Sequence, residues 1–228
     1  MARLIIQGGR RIHGTFTPLG NKNAVLPMLA ACVLTDEPVT LENVPRILDV
    51  ENMLRLLADI GVDVQPRGHS VTLCAKELRK TSLDPALCGR VRGSILLAGP
   101  LPARHGSATL HPPGGDVIGR RRLDTHFEGL AGLGIAMARH NGAFRLRRTR
   151  AFRGTELLLD EASVTATENI LMAATLAPGR TVILNAACEP HVQDLGALLQ
   201  KMGARISGLG TNRIEIEGVK RLGGARHR

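Results

Sequence analysis

Apolar and polar positions follow one spacing in three separate stretches of the chain. The first is Leu56-Leu57-Ala58-Asp59-Ile60-Gly61-Val62-Asp63-Val64, followed by Gly68 and Val71-Thr72-Leu73. The second is Leu130-Ala131-Gly132-Leu133-Gly134-Ile135-Ala136, then Gly142 and Phe144-Arg145-Leu146. The third is Leu198-Leu199-Gln200-Lys201-Met202-Gly203-Ala204-Arg205-Ile206, then Gly210 and Ile214-Glu215-Ile216. In each, a helical apolar period gives way across a glycine to strict alternation. That change predicts the end of an amphipathic helix, a glycine C-cap and a two-stranded hairpin.

The likeness extends upstream. Val39-Thr40-Leu41, Ala108-Thr109-Leu110 and Val182-Ile183-Leu184 read as short strands, each behind an Ala/Leu-rich helical stretch at residues 24–34, 94–101 and 169–176. After each strand a loop leads to an aspartate suited to cap the next helix: Asp49, Asp124 and Asp194. The unit of helix, strand, loop, helix, glycine and hairpin recurs about every 70 residues. Three such units bury their sheets together as a mixed α/β (α+β) domain around a pseudo-threefold axis. The domain covers residues 22–228, behind a strand-rich lead-in over residues 1–21; residues 219–228 form a basic tail.

Composition narrows the partners. A chain of 228 residues with 43% hydrophobic content supports one sizeable core. No apolar run approaches the roughly 18–20 residues that span a bilayer, and the first residues lack the pattern of a signal peptide, so a cytoplasmic protein without membrane contacts is expected. Cys32, Cys74, Cys88 and Cys188 are scattered without metal spacing, which reads as reduced thiols, no metal and no cofactor. The net charge of +10 favours anionic partners. With no Trp, no Tyr and four Phe there is little to stack on bases, so small anionic substrates are expected and not nucleic acid.

Three turns carry candidate chemistry. Gly20-Asn21-Lys22-Asn23 precedes a helix, where free N–H groups and a lysine suit a phosphate or carboxylate; Asn23 serving only as a cap is the other reading. Pro112-Pro113-Gly114-Gly115-Asp116-Val117-Ile118-Gly119-Arg120-Arg121-Arg122-Leu123-Asp124-Thr125-His126 sets a lone carboxyl upstream of three arginines. Its glycines let backbone approach a ligand and its guanidinium forks match phosphate geometry. The equivalent loops of the other two units lack both features, which favours binding here. In Ser163-Val164-Thr165-Ala166-Thr167-Glu168, Thr165 and Glu168 have capping-box spacing, and capping accounts for them.

Together these stretches resemble the UDP-N-acetylglucosamine 1-carboxyvinyltransferases. The matching pieces are Gly20 to Pro27, Arg92-Gly93-Ser94-Ile95, Pro113 to Gly119 with Arg121 and Asp124, Ser163 to Ile170, Glu189-Pro190-His191, Gly208 to Gly218 and Arg221 to Gly224. The similarity runs in order along the whole chain and corresponds to the N-terminal half of the family's chain. It implies an enolpyruvyl-transferase-type domain, an inside-out α/β barrel of three repeats, one of two such domains that close on substrates.

The implied reaction transfers the enolpyruvyl group of phosphoenolpyruvate to the 3′-hydroxyl of UDP-N-acetylglucosamine, the first committed step of peptidoglycan synthesis. Carried over by position, Lys22 and Asn23 contact phosphoenolpyruvate and the sugar, while Arg92 and the stretch Arg121, Arg122, Leu123, Asp124 and Thr125 hold anionic groups. The turn Glu161, Ala162, Ser163, Val164 meets the uridine. Asp116 stands where most members carry a cysteine, and is expected to be the proton donor. A second domain or chain is expected to supply the rest of the site, so little turnover is expected from these residues alone. A non-catalytic nucleotide-sugar-binding domain, or a truncated fragment, is the alternative.

Overall fold

The structure is a computed structural model that describes residues 3–115, 119 and 122–228. Its first regular element is the helix α1 (Lys22–Ala31), prolonged by a 3-10 turn, Cys32–Leu34. The strand β1 (Val39–Leu41), the helix α2 (Leu48–Ile60) and the hairpin β2 (Asp63–Arg67) and β3 (Ser70–Cys74) complete the first unit. The second unit runs through a short helix α3 (Pro85–Cys88), a 3-10 segment Arg92–Leu97 and α4 (Pro100–His105). It continues with β4 (Ser107–Leu110), α5 (Asp124–Gly132), β5 (Ile135–His140) and β6 (Ala143–Arg148). The third comprises β7 (Glu156–Leu158), α6 (Val164–Ala174), β8 (Arg180–Leu184), α7 (Pro190–Lys201), β9 (Arg205–Ser207) and β10 (Arg213–Glu217), followed by β11 (Ala225–His227).

Two kinds of helix divide the work. In α2, residues Val50, Met53, Leu56, Leu57 and Ile60 are buried while the opposite side faces solvent, the one-sided pattern of a covering helix. In α1 every residue from Ala24 to Ala31 is buried, and in α6 every residue from Ala166 to Ala174. The middle unit's counterpart breaks at Gly99-Pro100, where the sequence predicts one continuous helix. Mostly apolar and buried on all sides, these segments lie inside, and α1, α6 and the Arg92–Leu97 segment touch one another there. The sheets surround them. The domain is therefore inside-out, with helices at the centre of three separate sheets.

Each sheet repeats one ladder. β1, β4 and β8 pair antiparallel with the second hairpin strand of their own unit, β3, β6 and β10. The outer edge of β1 and of β8 takes a parallel strand, β11 and β7, and Thr109 of β4 takes a parallel bridge from Ser82. Each added segment begins eight residues after the preceding hairpin (Cys74 to Ser82, Arg148 to Glu156, Glu217 to Ala225). The segment after each hairpin thus pairs with the first strand of the ladder that follows, and β11 closes the cycle on β1. The sequence pattern did not reveal this exchange, because three-residue strands carry too little alternation to stand out.

Helix ends divide between agreement and correction. Gly61, Gly134 and Gly203 follow α2, α5 and α7 with φ of 107°, 87° and 102°, the left-handed conformation expected of the C-cap glycines. The aspartates do not cap. Asp49 and Asp124 lie inside the first turns of α2 and α5, and Asp194 lies within α7, where its carboxylate meets His227 Nε2 at 2.7 Å. Nor does Asn23 cap α1: the Asn21 carboxamide accepts from the N–H groups of Asn23 and Ala24. Residues 3–21 form no strand, and Leu4, Ile5, Ile6, Ile12 and Phe16 stand exposed. Alternating apolar residues make a strand only where a ladder partner is present.

Candidate functional site

The inner helices begin at a common cavity of about 380 Å³. Lys22 and Asn23 reach it from the start of α1, Arg92 and Gly93 from the 3-10 segment, Val164, Thr165 and Glu168 from α6, and His191 from α7. Residues far apart in sequence therefore meet because each repeat directs the same end of its inner helix inward. With Asn21 as the cap, Asn23 is left to face the cavity. Pro27, also on its wall, has no N–H to return to the Asn23 carbonyl.

The floor is shaped by close backbone approach. The Gly114 N–H donates to Cys88 O at 3.0 Å, and a Cβ on Gly114 would stand 1.7 Å from Gly89 O. Only glycine allows this contact. It holds the Pro112-Pro113-Gly114-Gly115 turn against the second unit, with Gly115 lining the cavity.

One ion pair and two buried titratable groups set the electrostatics of the cavity and its surroundings. Lys22 Nζ lies 2.9 Å from Asp49 Oδ2. His126 shares a hydrogen bond of 2.8 Å between its Nε2 and Thr165 Oγ1, and burial followed by the Arg92 charge pushes its pKa down to about 4. Glu168 is 1% exposed, and burial, with the charge of Glu189 behind it, raises its carboxyl to about 9. Glu168 and His191 were missed as site residues. The spacing that suggested a capping box in fact belongs to a helix capped by Ser163, whose hydroxyl accepts from the Ala166 N–H at 3.4 Å. Glu168 is thereby released to the buried side of α6. A buried acid in an apolar helix was the available signal.

The other expected residues form a neighbouring cluster and do not line this cavity. Arg122 Nε donates to Asp124 Oδ2 at 2.8 Å, holding the Asp124 carboxyl below its usual range, and Arg122 Nη2 lies 3.9 Å from Asp160. Thr125 Oγ1 donates to Asp160 Oδ1 at 2.5 Å. Asp160 so ties the start of α5 to the turn of Glu161, Ala162 and Ser163, and Val164 continues that turn into the cavity. Leu123 is half-buried against the core. Asp116 and Arg121 lie outside the described residues. Among the described residues no group of three or more His, Cys, Asp or Glu could hold a metal ion, and no helix is long and apolar enough to cross a membrane.

Comparison with known proteins gives one answer. The family model for EPSP synthase (3-phosphoshikimate 1-carboxyvinyltransferase) matches residues 6–228. The chain is 51% identical over 224 residues to the UDP-N-acetylglucosamine 1-carboxyvinyltransferase of Borreliella burgdorferi, covering 98% of this chain and 52% of that protein. It is 54% identical over 220 residues to the enzyme of that name from Treponema pallidum, covering 96% and 51%. The chain spans about half the length of the curated relatives it matches. Among solved structures, the enolpyruvyl transferase NikO from Streptomyces tendae superposes with a TM-score of 0.81 at 21% identity, over 96% of this chain and 53% of that one. EPSP synthase from Acinetobacter baumannii superposes at 0.72 and 18%, over 94% and 49%. These two likenesses speak for the fold.

Proposed function

The chain belongs to the EPSP synthase family, and from that premise we propose that it carries about half of the active site of a UDP-N-acetylglucosamine 1-carboxyvinyltransferase. The observation that carries the reading is the meeting of Lys22, Asn23 and Arg92 in one cavity, in a chain about 50% identical along its length to enzymes of that name. Such an enzyme serves the first committed step of peptidoglycan synthesis in the cytoplasm, on phosphoenolpyruvate and UDP-N-acetylglucosamine, with no cofactor.

The chemistry is addition followed by elimination. The sugar 3′-hydroxyl adds to the central carbon of the enol while its methylene gains a proton. Removal of a proton from the resulting methyl group then expels phosphate and restores the double bond. Every stage carries phosphate and carboxylate charge, and cations fixed beforehand lower its energy most. Lys22 and Arg92 serve that purpose, and Arg121 and Arg122 are further cations for it. Asn23 orients the reacting groups, and the turn from Glu161 to Val164 receives the uridine. Asp116 donates the methylene proton, its carboxyl held protonated by the incoming phosphate charge.

Calorimetric titration of the chain with each substrate tests the reading. UDP-N-acetylglucosamine or phosphoenolpyruvate is expected to bind with micromolar to millimolar affinity, weakened about tenfold or more in Lys22→Ala and in Arg92→Ala. No binding at millimolar ligand sinks the proposal. Turnover is expected to be negligible, because the relatives are about twice as long; turnover at an ordinary enzymatic rate would refute the half-site assignment.

A further inference from the structure

We infer that Glu168 meets the anionic substrate of this cavity as a neutral acid, donating its O–H to a phosphate or carboxylate oxygen, and does not act there as a carboxylate base. This rests on the reading of the cavity as a substrate site. Glu168 sits one turn into α6, 1% exposed, with Oε1 sealed from solvent and lacking any hydrogen-bond partner. It forms no ion pair among the described residues. The charged and titratable groups around it are Lys22 of α1, Asp49 of α2, Arg92, and Glu189 and His191 at the start of α7. His126 of α5 stands behind Thr165.

Burial opposes the carboxylate form, and among the described residues no cation of that set is paired with Glu168 to offset it. The Lys22 ammonium is held by Asp49 at 2.9 Å, and Glu189 adds a like charge that opposes ionisation. An ionised oxygen buried without a partner costs several kcal/mol, so the group keeps its proton instead. Each phosphorylated substrate brings further negative charge and strengthens that preference. The neutral acid then has a donor and no acceptor until the ligand arrives. Donation to an anionic oxygen gives a short, charge-assisted hydrogen bond, about twice as strong as one between neutral groups. A residue that spacing alone suggests for a helix cap becomes a neutral donor beside the cations Lys22 and Arg92.

Two measurements test the inference, one without ligand. Infrared difference spectra between the unsubstituted chain and Glu168→Gln at pH 7 should show the carbonyl stretch of a protonated carboxyl; a carboxylate band overturns the idea, whatever binds. In calorimetry with phosphoenolpyruvate, Glu168→Gln, which keeps a neutral donor, should bind within about threefold of the unsubstituted chain, and Glu168→Ala should lose about tenfold. Between pH 7 and 9.5 the unsubstituted chain should lose affinity relative to Glu168→Gln; a purely structural role would leave the two profiles parallel. A Gln variant as weak as the Ala variant, or parallel profiles, overturns the inference. If the unsubstituted chain binds no phosphoenolpyruvate while the infrared band is present, the site reading has failed and the binding role falls with it.

Discussion

Lys22 Nζ and Asp49 Oδ2 stand 2.9 Å apart, joining the first residue of α1 to the first turn of α2 on the cavity wall. Both side chains remain substantially exposed, at 47% and 37%, so the pair contributes less than about 1 kcal/mol to stability. Its consequence is for binding, since an anion must compete with Asp49 for the ammonium. Asp49→Asn is expected to shift the urea midpoint little and to tighten phosphoenolpyruvate binding about two- to fivefold, most at low salt. Weaker binding in this variant would show that Asp49 positions Lys22 and does not compete for it.

Asn169 links the second and third units. Its Oδ1 accepts from the Gly99 N–H at 2.7 Å, and its Nδ2 donates to Ile95 O and Thr165 O, each at 3.1 Å. Asn169 is fully buried, so truncation leaves polar groups that no solvent can satisfy. Asn169→Ala is expected to cost about 2–4 kcal/mol, read as a lower urea midpoint with an unchanged slope. A loss below about 0.5 kcal/mol, the scatter of surface substitutions, would show that Asn169 does not tie the two units together.

Gly114 tests whether the loop position matters for binding. A methyl at this residue would overlap Gly89 O at 1.7 Å and push the Pro112-to-Gly115 turn off the second unit. Gly114→Ala is expected to weaken substrate binding about tenfold or more at a modest cost in stability, of about 1–3 kcal/mol. Unchanged affinity would place the substrate away from this turn.

The repeated units were legible because their signals are local. A helical period, a left-handed glycine and an alternating hairpin lie within about 25 residues of each other, three times over. Lys22 was legible as a cation beside a helix start and Arg92 only through the family resemblance, and both reach the cavity. The aspartates were misread because capping and in-helix ion pairing favour the same residue type near a helix start. Asp49 answers to Lys22 and Asp194 to His227, which are tertiary relationships, while Asp124 answers to Arg122 two residues before it. Glu168 was hidden for a similar reason: its spacing from Thr165 fits a cap, and its burial depends on packing between units. The strand exchange that ends in β11 joins residues 39–41 to 225–227, a separation that no periodicity records.

The pH dependence of stability has two limbs. Glu168 titrates near 9 in the folded chain against an ordinary 4.5, so it holds a proton that the unfolded chain has released. The stability it lends is complete below about 4.5 and is lost as pH rises toward 9. His105 and His126 lie near 4 against an ordinary 6.5, and the unfolded chain takes up their protons first. Their contribution is present above 6.5 and is lost as pH falls toward 4. Stability measured by urea should therefore peak between about pH 6 and 7. Glu168→Gln should flatten the alkaline limb, and His105→Gln the acid one. A Gln variant with an unchanged alkaline limb would contradict the burial of an uncharged acid.

The resemblance implies that Asp116 stands where most members of the family carry a cysteine, the group that an epoxide of the fosfomycin type alkylates. Such ring opening needs a thiolate nucleophile, and a carboxylate is a far weaker one. The chain's own thiols offer little replacement. Cys32 and Cys88 are buried, and burial pushes both thiols upward, away from the reactive form. Cys74 is half-buried, and Cys188 is exposed. Peptide mapping after incubation with the epoxide is expected to find no adduct at residue 116, and iodoacetamide is expected to label Cys188 first. Asp116→Cys should gain an adduct at that position when UDP-N-acetylglucosamine is present, since the substitution supplies the thiol that the epoxide alkylates. An adduct on Asp116 itself would show an unusually nucleophilic carboxylate there, and would end its assignment as the group that holds the methylene proton.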